Sequence, residues 1–356
     1  MLAIGPVRLD VPITQAALSG YSDAAMRLLA REHGCPYTMN EAVLDHLVTR
    51  GGRKMRRMLA VAPEDHPIGG QLMGSEPHQF AEAADQLVCL GYDAVDINFG
   101  CPVKKVLGRC RGGYLLSVPD QARDIVRRVC DAVGGRVPVT VKMRRGMDDS
   151  PESERRFFSI LDAAIEIGAA AVTVHARSVR QRYVGRSDWS FLTKVKRHVG
   201  DRIILGSGDL FSAENCVRML AETGVDGCSI ARGAIGNPFI FREVRALLAG
   251  KPLPPPPSIS QQRRVIERHF DLMCQLHGEA IARRLFRKFG VRYSELHPCA
   301  KDVKMAFVAM RTIDHWRALL DRWYGDEDAY GPVVRRPRPE SLIAAGARMN
   351  DDENAV

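Results

Sequence analysis

The nine cysteines of this sequence never form a C-x-x-C pair, and no histidine stands at zinc-ligand spacing from them. That excludes a structural zinc site, and an odd, scattered set argues for free thiols in a reducing compartment. No uninterrupted apolar stretch is long enough to span a bilayer, and residues 1–12 lack the apolar core of a secretory leader. A cytoplasmic protein with no membrane and no metal is therefore expected, and a monomer is taken as the default, since the sequence is silent on oligomeric state. Also missing is a G-x-G-x-x-G turn, which a doubly wound dinucleotide-binding sheet would normally carry after its first strand. One further absence is local: from Pro102 to Arg111 there is no acid, while Lys104, Lys105, Arg109 and Arg111 crowd together. The whole chain carries a net charge of +9, which favours an anionic partner, nucleic acid ahead of a membrane surface.

What is present is enough apolar material, 46% of 356 residues, for one large core and a smaller one. Short β-like runs fall at 11–17, 37–41, 67–73, 94–98, 137–143, 170–175, 202–205 and 227–231. Helical segments fall between them at 22–33, 44–59, 78–90, 119–133, 151–167, 188–199, 212–223 and 238–248. Ser22, Pro119-Asp120 and Ser212 mark helix starts, and Gly34, Gly91, Gly168 and Gly224 sit where helices should stop. Eight β-then-α units over roughly 250 residues is the arithmetic of an α/β fold of the (β/α)8 TIM barrel type.

Residues 1–250 are thus expected to form the barrel. The stretch 251–258 holds four consecutive prolines, which cannot continue a helix and read as an extended linker. Helical periodicity alone follows, predicting a smaller all-α domain over 259–330, and 331–356 reads as a disordered tail. Within that domain Ile281, Leu285, Phe289 and Tyr293 recur every four residues as a buried stripe, while Arg284, Lys288 and Arg292 recur on another face. From 259 to 311 there are eleven basic against five acidic residues, six in excess.

In a barrel the chemistry sits at the C-terminal ends of the strands. The first run ends in Ala17, Leu18 and Ser19, small enough at the backbone for a planar ligand to lie against them. The third ends in Gln71, and the fourth in Asn98 and Cys101. The fifth ends in Lys142 and Arg144, the sixth in His175 and Arg177. The seventh ends in Ser207, Gly208 and Asp209, and the eighth in Ala231 and Arg232. A lysine and a histidine ending neighbouring buried strands are costly unless something polar lies between them. The last two strand ends match the usual phosphate position of such barrels.

These residues carry a resemblance. Asn98-Phe99-Gly100-Cys101-Pro102, with Lys105-Val106 and Gly113-Tyr114-Leu115-Leu116, is similar to the signature of the tRNA-dihydrouridine synthases. Gly70-Gln71-Leu72, the runs 139–144 and 173–177, Asp188-Trp189, the run 237–241 and the helical run 286–293 extend the likeness over about residues 10 to 325. The resemblance implies an FMN-dependent barrel with a helical tRNA-binding domain, reduced by NADPH. It makes Cys101 the proton donor to the base. Gln71, Lys142 and His175 would hold the flavin ring, and Gly208, Asp209 and Arg232 its ribose and phosphate. Asn98 and Arg144 would lie close to the target uracil. Lys104, Lys105, Arg177, Arg284, Lys288 and Arg292 are expected to contact tRNA, with Lys104 and Lys105 also lowering the pKa of Cys101.

Three positions depart from the family pattern: Ala16-Ala17-Leu18 replaces Ala-Pro-Met, Ser207 replaces an asparagine, and Ala231 replaces a glycine. They motivate one alternative, a flavin-free RNA-binding relic. Another is an FMN barrel acting on a free pyrimidine, which gives no reason for the basic helical appendage. A third, a phosphate-binding barrel without flavin, leaves Gln71, Lys142 and Cys101 unexplained.

Overall fold

The computed structural model describes residues 1–335. An antiparallel hairpin, β1 (Leu2–Ile4) and β2 (Val7–Leu9), precedes the barrel. The remaining strands are β3 (Ile13–Gln15), β4 (Thr38–Met39), β5 (Val43–Leu44), β6 (Ile68–Met73), β7 (Ala94–Phe99), β8 (Val139–Arg144), β9 (Ala171–His175), β10 (Ile204–Ser207) and β11 (Gly227–Ile230). All pair in parallel, in the order β3-β4-β6-β7-β8-β9-β10-β11, and β11 returns to β3. This is the closed eight-stranded barrel that the alternation predicts, with helices around it and a further set of helices after it. Two pieces were not legible in the pattern. Leu2, Ile4, Val7 and Leu9 of the hairpin pack against Tyr37, Ala94, Ala171 and Leu205, so the hairpin plugs the N-terminal end. The short β5 adds to the far end of β6, with Val43 opposite Leu72.

The outer helices obey their caps. Ser150 and Ser212 accept from the backbone N–H three residues on, and Gly168 and Gly224 end their helices in the left-handed region. At the first helix, Ala24–Glu32, the cap is Asp23 rather than Ser22, whose hydroxyl accepts from Leu18 N instead. The helix expected over 44–59 is two helices, Asp45–Arg50 and Arg53–Leu59. Gly51 and Gly52 break it with φ of 64° and 107°, which an α-helix does not allow.

After the barrel, helices Ile259–His277, Glu279–Ser294, Ala300–Ala309, Ile313–Tyr324 and Glu327–Tyr330 form an all-α unit. Its core is aromatic, with Phe270 stacked on Trp316 at 4.3 Å and Phe286 edge-on to Trp316 at 5.1 Å. The buried stripe of the second helix is Ala282, Phe286, Phe289 and Tyr293, and Ile281 is 38% exposed. Spacing by four advances about 40° past a full turn at each step, so a stripe read that way drifts off the buried face. The start of the expected tail is also not tail-like. Val333 N donates to Pro257 O and Val334 N to Leu296 O, which clamps residues 333–334 to the proline stretch and the helical unit. Residues 336–356 lie outside the described residues. Among the described residues no helix is long and apolar enough to cross a membrane.

The barrel is narrowest in hydrogen bonds at β4, which has only two residues and pairs with β3 at a single position, Gln15 to Thr38. A buried ion pair braces this seam. Arg27 Nε donates to Asp65 Oδ2 at 3.0 Å, and Arg27 Nη1 donates to Asn40 Oδ1 and Ser22 O, both at 2.9 Å. Asn40 Nδ2 in turn donates to the Tyr92 hydroxyl at 2.6 Å. Both charged side chains are buried, so removing one leaves the other uncompensated. Asp65→Ala is expected to cost about 3–5 kcal/mol of unfolding free energy by urea titration, more than removing any single surface ion pair.

Candidate active site

β7 ends at Phe99, and the chain must turn out of the sheet there with its next amides unpaired. Asn98 supplies the missing acceptor: its Oδ1 takes hydrogen bonds from Gly100 N and Cys101 N, both at 3.0 Å. Asn98 Nδ2 donates to Gln71 Oε1 at 2.6 Å, and Gln71 Nε2 donates to Asp96 Oδ2 at 2.6 Å. On the other side Gly113 N donates to Cys101 O at 3.0 Å. A Cβ on Gly112, which has φ of 58°, would lie 2.8 Å from Cys101 Cβ, so only glycine lets this turn close on the cysteine. The basic run after Cys101 is not a loop but a short helix, Lys104–Leu107, followed by a 3-10 turn, Gly112–Ser117.

Cys101 opens on a cavity of about 1020 Å³ at the C-terminal end of the barrel. Ala17, Leu18, Ser19, Gln71, Asn98, Lys142, Arg144, His175, Ser207, Ala231 and Arg232 line it, as do Lys105, Lys288 and Arg292 from outside the strand ends. Burial pushes the Cys101 thiol above its ordinary pKa, and the nearby Arg144 and Lys142 only partly oppose that. Lys104 and Lys105, both exposed on the short helix, are not among the groups that shift it. Burial and the adjacent Arg144 bring Lys142 down to about 8, against the pull of Asp96. His175 is driven well below its usual range, by burial first and then by Arg144, Lys142, Arg177 and Arg232, so its ring is neutral. Its Nε2 is buried and finds no partner among the described residues.

Five expected residues do not line the cavity: Lys104, Arg177, Gly208, Asp209 and Arg284. Lys104 and Arg284 stand exposed outside it. Arg177 is buried and donates through Nη2 to Gly185 O and Asp209 Oδ1, both at 2.6 Å, so it is a brace and not an exposed RNA contact. Asp209 is likewise spent: its Oδ2 accepts from Ser187 N at 2.7 Å. Gly208, with φ of 121°, lets this turn press on Ser187, whose Oγ would stand 2.1 Å from an added Cβ. Ser207 donates to Ser229 O at 3.1 Å. Lys288 is half-buried against the barrel, bonded to Gly20 O and lying 4.9 Å from the Tyr21 ring, while Arg292 pairs with Glu295 at 2.7 Å. Arg144 donates to Gly100 O at 2.8 Å and to Arg182 O at 2.7 Å, which ties the cysteine turn to the loop after β9.

A sequence profile of the dihydrouridine synthase family matches residues 14–321. The chain belongs to the dihydrouridine synthase family. It is 34% identical to a probable tRNA-dihydrouridine synthase of Mycobacterium tuberculosis, over 99% of this chain and 93% of that protein. It is 33% identical to tRNA-dihydrouridine synthase B of Xanthomonas campestris, over 85% of this chain and 90% of that one. Among solved structures, histamine dehydrogenase from Rhizobium sp. 4-9 superposes with a TM-score of 0.54 at 16% identity, over 76% of this chain and half of that one. Morphinone reductase in complex with tetrahydroNAD gives 0.51 at 13% identity, over 72% of this chain and 91% of that one. These two likenesses are of fold.

In this dihydrouridine synthase the cavity also holds residues that the strand-end reading missed. Tyr183 lies against both Arg232, at 4.4 Å from its ring centre, and Arg144, at 5.2 Å. The only signal was an aromatic residue set among arginines at 180–186. Arg53 and Arg57 reach the rim from the helix after Gly51-Gly52. Glu41 follows Asn40 just past β4, and burial with Asp23 alongside pushes its carboxyl up to about 7 in spite of Lys288. An acid that the fold keeps protonated contributes stability fully below its unfolded pKa of roughly 4.3 and loses it as pH rises towards 7. Glu41→Gln is therefore expected to match the parent near pH 4 and to exceed it at pH 8 by about 1–3 kcal/mol in urea unfolding.

Proposed function

We propose that the protein reduces the C5=C6 bond of uridines in tRNA, with FMN in the barrel mouth and Cys101 as proton donor. The observation that carries this reading is a thiol held protonated at the edge of a large cavity lined by Lys142, Arg144 and Arg232. The residues present fit a flavin mononucleotide. A neutral His175 keeps a buried Nε2 without a partner among the described residues, and Lys142 and Gln71 line the same cavity, Gln71 with one amide N–H beyond its bond to Asp96. Arg232, largely desolvated and flanked by Tyr183 and Phe211, suits a phosphate. None of the three departures closes the cavity: Ala17, Leu18, Ser207 and Ala231 all line it.

When bound and reduced, the flavin supplies the hydride that adds at C6 of the base. Cys101 gives its proton to C5, leaving a thiolate that Arg144 and Lys142 stabilise until water reprotonates it. Asn98 holds the cysteine turn, and Arg144 fixes that turn against the loop after β9. A target uridine must leave the tRNA stack, at a cost of a few kcal/mol. Lys105, Arg109 and Arg111, with Arg53 and Arg57 from the helix after Gly51-Gly52, offset it through phosphate contacts. NADPH is the reductant in this reading, and the enzyme acts as a monomer on cytoplasmic tRNA.

Purified protein should show a flavin absorption band that NADPH bleaches and unmodified tRNA restores. A colourless protein that cannot be loaded with FMN counts against the reading. Cys101→Ala should keep the flavin and the tRNA affinity but lose about 10²–10⁴-fold in dihydrouridine formation, measured by nucleoside mass spectrometry. Undiminished activity there removes the proton-donor role.

A further inference from the structure

Asp96 touches neither the large cavity nor its rim, yet it anchors a continuous line of hydrogen bonds that ends on Cys101. It is buried in the middle of β7, 1% exposed. Thr140 Oγ1 donates to its Oδ1 at 2.5 Å, and Gln71 Nε2 donates to its Oδ2 at 2.6 Å. Gln71 Oε1 then accepts from Asn98 Nδ2, and Asn98 Oδ1 accepts from Gly100 N and Cys101 N. We propose that Asp96 is a positioning residue that, through the amide orientations of Gln71 and Asn98, sets the placement of Cys101.

A primary amide has a donor end and an acceptor end of nearly the same shape, so packing alone does not choose between its two orientations. A carboxylate oxygen facing Gln71 only accepts, and it still only accepts if a proton sits on the other oxygen, towards Thr140. Gln71 must therefore turn Nε2 to Asp96 and Oε1 to Asn98. Asn98 must then turn Nδ2 to Gln71, which leaves Oδ1 for the two backbone amides of the cysteine turn. If the first amide reversed, Asn98 would face those amides with N–H groups, donor against donor. The far side of Asp96 matters too. A small space of about 10 Å³, room for about one water, is lined by Thr14, Gln71, Asp96, Thr140 and Lys142 together with apolar neighbours such as Ile4, Met39 and Leu205. A truncated side chain would admit water there as a substitute acceptor, so a filling apolar residue is the informative change.

The test reads the thiol directly, in full-length protein as purified. Iodoacetamide labelling is followed residue by residue by mass spectrometry, across pH. Asp96→Leu should speed labelling of Cys101 by about fivefold or more, the factor that one net hydrogen bond is worth, and lower its apparent pKa. Labelling of Cys89, exposed at the end of an outer helix, and of the partly buried Cys130 should stay at the parent rate. Asp96→Asn can still accept from Gln71 while its amide donates to Thr140, and should restore the parent profile at Cys101. An unchanged Cys101 profile in Asp96→Leu overturns the proposal, and so does an equal gain at Cys130. If that variant does not fold, Gln71→Met cuts the same line one link higher and must give the same selective gain, or the proposal fails. The importance of this placement rests on Cys101 being the proton donor. A protein that labels as expected but reduces no uridine would sink that reading and leave the Asp96 line standing.

Discussion

A cluster of positive charge drawn together at the barrel mouth is the constraint on which this active site depends. Lys142, Arg144 and Arg232 line one cavity with His175, and the pKa of each is lowered by burial in it. The nearest acids are shared with other partners, Asp209 with Arg177 and Ser187, Asp96 with Gln71 and Thr140, and offset that charge only in part. Burying cations in this way is unfavourable unless an anion or a strongly polar ring completes the site. The rest follows from holding them there. Neutral His175, the lowered Lys142 and the protonated Cys101 are all responses to burial in the same field.

Rigidity around that cluster comes from side chains that sequence motifs present as ligands. Arg177 and Asp209 form a clamp between β9 and β10, and Arg144 spans from the cysteine turn to the loop carrying Tyr183. Asn98 acts on its own backbone. A motif residue is therefore not always a contact with substrate, and several of the most distinctive ones here hold the contact residues in place. The same holds for Lys288, whose charge is partly consumed in docking the helical unit on Gly20 and Tyr21. Gly236 serves that docking from the barrel side, since a Cβ there would lie 2.7 Å from the backbone of Arg292 and Tyr293.

The seam at β4 links stability to this arrangement. A two-residue strand closes the barrel between β3 and β6, so side chains take over part of the work that backbone pairing does elsewhere. Arg27, Asp65 and Asn40 do so on the outer side. Just beyond the same strand, Glu41 and Asp23 face Lys288 and His277 from the helical unit. The weakest part of the sheet and the contact between the two units are thus neighbours.

Sequence alone determined the eight strand-and-helix units, their boundaries to within a few residues, and the cysteine turn with its glycines. Those features depend on neighbours along the chain: period-two and period-3.6 burial, side-chain caps, and backbone angles that only glycine takes easily. It also placed the strand-end part of the cavity lining, because in a barrel a strand's last residues face the mouth wherever the strand lies. Tertiary structure decided which of those polar residues are available. Arg177 reads the same in sequence whether it points at RNA or at Asp209, thirty-two residues away. Glu41, Tyr183 and Asp96 acquire their roles from partners that local pattern does not specify, as does the split at Gly51-Gly52, which carries Arg53 and Arg57 to the rim. The physical reason is that burial and hydrogen bonding between distant segments are set by how the closed sheet brings them together, and periodicity records only which face is buried, not what it meets.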